Sequence, residues 1–257
     1  CPMLLVMDVG NTNIKTGLFF EGKLRSSWRL ATDQKRTADE YGVRMETFFH
    51  HLAIPTTAVE GIIMSSVVPG INYTLEHMCE LYFHGLHPLV VHSGMNLGLK
   101  ILYDYPEKLG ADRICNAVAA YQTYGGPLAV VDFGTATSFS VVDGEGAFLG
   151  GLICPGLMVS ADALVTKAAQ LSKVEFLPPT RVIATNTEDG IRAGLILGYV
   201  GQVDYIIRQI EAELGYEIKT IATGGMSSMI ASGTNRIDLV NPTLTLEGLA
   251  RIYEMNR

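Results

Sequence analysis

With 257 residues, 48% of them hydrophobic and 18% charged, the chain has room for one large domain or two modest ones around a buried core. A net charge of −7 and 19 basic residues, scattered without any run longer than Lys35-Arg36, argue against binding along a phosphate backbone, so nucleic acid is not expected as a partner. Four well-separated cysteines (Cys1, Cys79, Cys115, Cys154) form no C-x-x-C pair and predict reduced thiols in a cytoplasmic protein, not a disulfide framework.

In chain order, Cys1-Pro2 ahead of Met3 is open to two readings, native or added. Met3–Val9 is a short apolar run, too brief for a membrane span or a signal peptide, and predicts a strand. The glycine turn Asp8-Val-Gly-Asn-Thr-Asn-Ile-Lys follows, then the strand Thr16–Phe20 and a Glu21-Gly22 turn. Thr37–Leu52 reads as a helix, ending on a His50-His51 pair that has no metal-spaced partner. Gly61–Val67 and Pro88–His92 read as strands. Glu107–Tyr124 has helical periodicity, with Ile114, Ala117, Val118 and Tyr121 on one face.

The first pattern then repeats. Leu128–Val131 is an apolar run, followed by Asp132-Phe-Gly-Thr-Ala-Thr-Ser, the strand Phe139–Val142 and an Asp143-Gly144 turn. Gly150–Val165 is the most apolar later stretch, but Pro155 and Asp162 interrupt it and no membrane association is expected. Asp189–Leu214 predicts a helix with Ile191, Leu195, Tyr199, Ile206, Ile210 and Leu214 on one face, stopped by Gly215. Thr220–Ala222 leads into a third glycine element, Ala222-Thr-Gly-Gly-Met-Ser-Ser, and Leu244–Glu254 reads as a last helix. Strands alternating with helices give an α/β fold, and the echo of one unit in each half predicts a duplicated architecture with a cleft between the halves. The expected division is 1–116 and 117–257.

An acidic residue beside a glycine turn that carries hydroxyl and amide side chains suits a phosphate site. Glycine admits backbone N–H groups, Asn11, Thr12 and Thr135 add donors, and Lys15 adds positive charge. Aspartates repel phosphate, so the useful role for Asp8 and Asp132 is to hold a cation such as Mg²⁺ that bridges to it. The plainer alternative, that each D-x-G is a hairpin turn, weakens because the motif occurs twice in matched strand contexts. Asp112 and Arg113 stand where a helix begins, a position that favours anions. They read either as a solvated first-turn pair or as a base for a substrate hydroxyl beside a site for a substrate anion. Neither G-x-x-x-x-G-K-[ST] nor a strand-following G-x-G-x-x-G is present, which disfavours P-loop and Rossmann folds.

These residues make the chain closely similar to the type III pantothenate kinases of the actin-like acetate and sugar kinase superfamily. The matching segments are DVGNTNIKTGLF (Asp8–Phe19), GADR (Gly110–Arg113) with NAVAAY (Asn116–Tyr121), and DFGTATSF (Asp132–Phe139). GGLICPG (Gly150–Gly156), Asn186-Thr187, ATGG (Ala222–Gly225) and LTLEGL (Leu244–Leu249) complete the series in order. The resemblance implies a duplicated actin-like (ribonuclease H-like) two-domain α/β fold with mixed sheets flanked by helices. It also implies ATP-dependent phosphorylation of pantothenate to 4′-phosphopantothenate, the first step of coenzyme A synthesis. By position, Asp8, Val9, Gly10, Asn11, Thr12, Asn13, Ile14 and Lys15 match the ATP loop, and Thr135 a further ATP contact. Asp132 matches a monovalent-cation ligand for K⁺ or NH₄⁺, and Asp112 the proton acceptor. Tyr103, Gly110, Ala111, Asp112, Arg113 and Thr187 match pantothenate contacts. The family is homodimeric, with Thr187 expected to reach the partner's site. Ser138 and Ser140 stand where Thr and Asp are commoner, Ser172 stands where Pro is usual, and Glu188–Ala193 differs from the family's usual segment. An actin-like kinase for another hydroxylated metabolite and a non-catalytic regulatory relative are the alternatives.

Overall fold

A computed structural model describes residues 3–167 and 175–257, so Cys1-Pro2 and Ser172 lie outside the described residues. The chain separates into two compact units, Cys1–Ala119 with Leu244–Arg257, and Ala120–Thr243. The last helix therefore belongs with the N-terminal residues, although in the sequence it follows the second unit.

The first unit is built on β1 (Met3–Val9), β2 (Asn13–Phe20), β3 (Lys23–Ala31), β4 (Val59–Ser66) and β5 (Leu89–Val90), in the sheet order β3-β2-β1-β4-β5. The β1-β2-β3 meander is antiparallel, while β4 runs parallel to β1 and β5 parallel to β4. Glu21 and Gly22 both have positive φ, 49° and 71°, as a tight turn between β2 and β3 requires. α1 (Ala38–His51) starts at Thr37, whose side chain caps Glu40 N–H while the Glu40 side chain returns to the Thr37 N–H. Tyr41, Met45 and Phe49, one turn apart along α1, enter a core that Leu5, Met7, Ile14, Leu18, Ile62 and Met64 share. α2 (Pro69–Tyr82) adds Ile71, Leu75 and Met78 to that core. α1 opens on a capping box and α2 on Pro69, and α2 has no counterpart among the predicted helices.

A short β6 (Lys100–Ile101) and a 3₁₀ turn over Pro106–Lys108 lead to α3 (Ala111–Tyr124). The predicted start at Glu107 is four residues early. Leu109 is extended, with φ −68° and ψ 127°, so the helix begins only after Gly110. α7 (Leu244–Asn256) returns to pack on β1, β2 and β4.

The second unit repeats the plan with β7 (Leu128–Phe133), β8 (Ala136–Val142), β9 (Ala147–Pro155), β10 (Lys219–Gly224) and β11 (Leu239–Val240). Their order is β11-β10-β7-β8-β9, with β7-β8-β9 antiparallel and β10 parallel to both β7 and β11. β1 thus corresponds to β7, β2 to β8, β3 to β9 and β4 to β10. α4 (Leu157–Lys167), α5 (Thr187–Leu214) and α6 (Ser227–Ala231) complete the unit. α5 buries Ile196, Tyr199, Val203, Ile207 and Ile210 against Val131, Phe139 and Ala222. It begins two residues before the predicted Asp189, because the Asn186 side chain caps the Asp189 N–H, and it ends at Gly215 in the left-handed conformation, φ 79°. The mixed sheets flanked by helices agree with the predicted α/β class, and among the described residues no helix is long and apolar enough to cross a membrane.

Candidate active site

The first loop is the β1-β2 turn. Pairing of Asp8 with Lys15 and of Val9 with Ile14 closes it, and the Gly10 N–H donates to Asn13 O at 3.0 Å. A Cβ on Gly10 would lie 3.1 Å from that same Asn13 oxygen, which accounts for glycine at this position. The loop is held from just beyond β3, since Thr32 donates its hydroxyl to Gly10 O at 2.7 Å and its N–H to Thr12 O at 3.0 Å. Asn11, Thr12 and Asn13 are exposed, whereas Val9 and Ile14 are buried beneath them. The loop therefore turns its polar side chains outward on an apolar base.

Asp8 is 8% exposed. Its Oδ2 lies 3.9 Å from Lys15 Nζ, and its Oδ1 accepts the Ser65 hydroxyl at 2.9 Å. Ser65 is fully buried at the end of β4, directly in register with Asp8. α3 closes on the same point through Cys115. Burial pushes the Cys115 thiol well above its ordinary range; the Asp8 and Asp112 carboxylates add to this, and a hydrogen bond with Ser65 acts the other way. Asp8, Lys15 and Ser65 are thereby brought together within the first unit, with Cys115 beside Ser65 and Asp112 one turn before Cys115 on α3.

Gly110 and Ala111 form the start of α3, with the Ile114 N–H donating to Gly110 O at 3.1 Å. Asp112 Oδ1 accepts the Arg113 N–H at 2.8 Å, and a Cβ on Gly110 would meet that oxygen at 2.6 Å. Arg113 is 6% exposed, so the pair is not the solvated first-turn pair that the sequence left open. Tyr103 is partly buried in the segment before the 3₁₀ turn. Thr245 donates its hydroxyl to Asn116 at 2.7 Å, both buried, and ties α7 to α3 just behind these residues.

In the second unit the matching turn joins β7 and β8. Asp132 occupies the place in β7 that Asp8 holds in β1, paired with Ser138 on one side and with Thr223 of β10 on the other. Lys15 therefore corresponds to Ser138, and Ser65 to the buried Thr223. The Gly156 N–H donates to Thr135 O at 3.0 Å and the Gly134 N–H to Ala136 O at 3.1 Å. Gly224, with φ +93°, approaches so closely that a Cβ would meet Phe133 O at 2.5 Å and Asp132 Oδ1 at 2.8 Å. The third glycine element predicted from the sequence is thus packed beside Asp132. Thr187 is the first residue of α5 and lines a groove of about 530 Å³ with Leu164, Gly190, Ile191, Gly194 and Leu195.

Ser65, Cys115 and Thr223 were not among the predicted site residues. The available signal was a hydroxyl ending each apolar strand that lies parallel to an aspartate-bearing one. The arrangement fits the groups that the resemblance implies. Asp8 offers Mg²⁺ one carboxylate beside Lys15, and such an ion would complete its shell with water and phosphate, its usual habit. In the second unit, the bare Gly224 backbone beside Asp132 is a cradle that a Cβ would fill, with oxygen donors suited to a hard cation.

Comparison with known proteins agrees with this fold. A conserved Campylobacter jejuni protein, described as a candidate Baf family transcriptional activator, is similar at a TM-score of 0.62 and 18% identity, covering 97% of each chain. A Sinorhizobium meliloti protein, described as a candidate 2-dehydro-3-deoxygalactonokinase, is similar at a TM-score of 0.61 and 10% identity, over 98% of this chain and 96% of that one. Component A of the (R)-2-hydroxyglutaryl-CoA dehydratase of Acidaminococcus fermentans is similar at 0.57 and 13% identity, over 98% and 97%. At these identities the likeness establishes the fold, the duplicated actin-like architecture. The type III pantothenate kinase family profile matches residues 4–209. The chain belongs to the type III pantothenate kinases, which phosphorylate pantothenate with ATP in coenzyme A biosynthesis and use Mg²⁺ and a monovalent cation.

Proposed function

We propose that Asp112 accepts the hydroxyl proton of pantothenate and that the Asp8–Lys15 loop binds the ATP phosphates. The observation that supports this is the position of Asp112 at the start of α3, one turn before the Cys115 that meets Ser65, with one carboxylate oxygen tied to the Arg113 N–H at 2.8 Å. That tie leaves a carboxylate of fixed orientation, able to align a hydroxyl and take its proton late in transfer. Arg113, Tyr103, Gly110 and Ala111 form the pantothenate site around it, with Arg113 meeting the substrate carboxylate. Val9 and Ile14 support the loop, Gly10 exposes its backbone, and Asn11, Thr12, Asn13 and Lys15 donate to phosphate oxygens. Bound Mg²⁺, held through Asp8, neutralises phosphate charge. Thr135 donates to ATP, and Asp132 holds K⁺ or NH₄⁺.

The protein acts as a homodimer in the cytoplasm, with neither nucleic acid nor membrane as a partner. Support for the dimer comes from α5, where Gly194, Gly198 and Gly201 have nothing within 4 Å of an added Cβ and Leu197 is exposed. Thr187, at the head of that helix, reaches the partner's pantothenate site. We keep 1–116 and 117–257 as the two functional halves, with α7 returning to support the first. Steady-state turnover of pantothenate by Asp112→Asn tests the assignment. Turnover falls about 10²–10⁴-fold while ATP binding is retained. Equal loss of both would remove Asp112 from the role of base.

A further inference from the structure

We infer that Ser65 is a positioning residue for phosphoryl transfer, holding the Asp8 carboxylate in one orientation from the end of β4 with Cys115 behind it. The inference rests on the assignment of Asp8 to the Mg²⁺–ATP side of the site. Ser65 follows Ile62, Ile63 and Met64, all buried, on a strand whose interior an apolar residue would fill at less cost than a hydroxyl. Its fully buried Oγ instead donates to Asp8 Oδ1 at 2.9 Å across parallel strands.

A serine hydroxyl has one hydrogen, so once given to Asp8 its oxygen can only accept. The Cys115 thiol lies within hydrogen-bonding reach behind Ser65. The single hydrogen of Ser65 is thus committed to Asp8. With Oδ1 fixed, rotation of the carboxylate is stopped and Oδ2 is kept on the Lys15 side, 3.9 Å from Nζ. The duplicated half repeats the position, since a second buried hydroxyl residue, Thr223, is in register with Asp132 on the equivalent strand.

The test is Ser65→Ala beside Ser65→Thr and Asp8→Asn, all in the full chain. Calorimetric ATP binding with Mg²⁺ weakens about 10–100-fold in Ser65→Ala, the usual effect of losing a hydrogen bond to a charged group. ATP binding without Mg²⁺ and the KM for pantothenate stay at wild-type values, and Ser65→Thr recovers most of the loss. Mg²⁺-dependent binding at wild-type strength in Ser65→Ala, with the same binding lost in Asp8→Asn, overturns the inference while sparing the role of Asp8. Uniform loss across both substrates, with or without Mg²⁺, marks Ser65 as merely structural and also overturns it. Wild-type Mg²⁺-dependent binding in Asp8→Asn overturns the Asp8 assignment itself, and the inference with it.

Discussion

Gly248→Ala is the substitution whose consequence the packing defines most sharply. An added Cβ at Gly248 would stand 2.0 Å from Cys115 O, 2.5 Å from Cys115 C and 2.9 Å from Cys115 Cα, all backbone atoms of α3 that cannot rotate away. Restoring an ordinary contact of about 3.4 Å requires α7 and α3 to separate by roughly 1.4 Å. That shift breaks the 2.7 Å bond from Thr245 to Asn116 and loosens Leu244, Leu249 and Ile252, which are fully buried. Overpacking costs about 1–3 kcal/mol and the lost buried hydrogen bond about 1–3 more, while alanine's helix propensity returns about 1. The net is a loss of about 1–5 kcal/mol, which lowers Tm by roughly 2–20 °C in a protein of this size. Thermal and urea melts measure this directly. Turnover should fall as well, because the displaced Cys115 lies beside Asp8, Ser65 and Asp112. A variant that melts at or above the wild-type temperature would refute the close approach of α7 to α3.

Two further outcomes follow from the same kind of accounting. Gly224→Ala must place a Cβ at φ +93° and 2.8 Å from Asp132 Oδ1; it should cost about 2–4 kcal/mol and blunt activation by K⁺, read from melts and from rates with and without the cation. Cys79, on the buried face of α2, has its thiol pushed from 9.0 up to about 12, first by burial and then by Glu76. Its folded value is raised, so the unfolded chain loses a proton first and stability falls by about 1.4 kcal/mol per pH unit from pH 9 towards about 12. Cys79→Ala should be less stable at neutral pH yet show a shallower decline over that window in denaturant melts, and an unchanged slope would contradict the burial.

What the sequence made legible was local. Thr37 and Glu40 announce α1 by reciprocal capping, Gly215 ends α5, and Glu21-Gly22 turns β2 into β3, each within four residues of the feature it controls. The two D-x-G turns were legible because the chain repeats them. What stayed hidden depends on register between distant strands and on the return of the last helix. Ser65 is 57 residues from Asp8, and nothing in Ser65-Ser66 states that β4 lies parallel to β1 with those two residues paired. Gly248 reads as a helix-weakening residue until Cys115 is found against it. The start of α3 was misplaced for a related reason: Glu107 and Lys108 suit a helix, but an extended Leu109 ahead of Gly110 interrupts it.

The duplication also explains why two similar loops can do different work. The backbone plan is common: an antiparallel hairpin, an aspartate one residue from the strand end, and a parallel neighbour with a hydroxyl in register. Divergence lies in what faces the aspartate across the hairpin, Lys15 in the first unit and Ser138 in the second. A lysine 3.9 Å from Asp8 balances its charge and adds a phosphate donor, which suits a site where highly charged phosphates and Mg²⁺ meet. A serine leaves Asp132 with no cationic residue at that position, and Gly224 brings bare backbone to its other side. A site of that kind suits a weakly demanding monovalent ion better than a phosphate. One duplicated frame can therefore supply both, because the frame sets where the carboxylate stands and the cross-strand partner sets what it can hold.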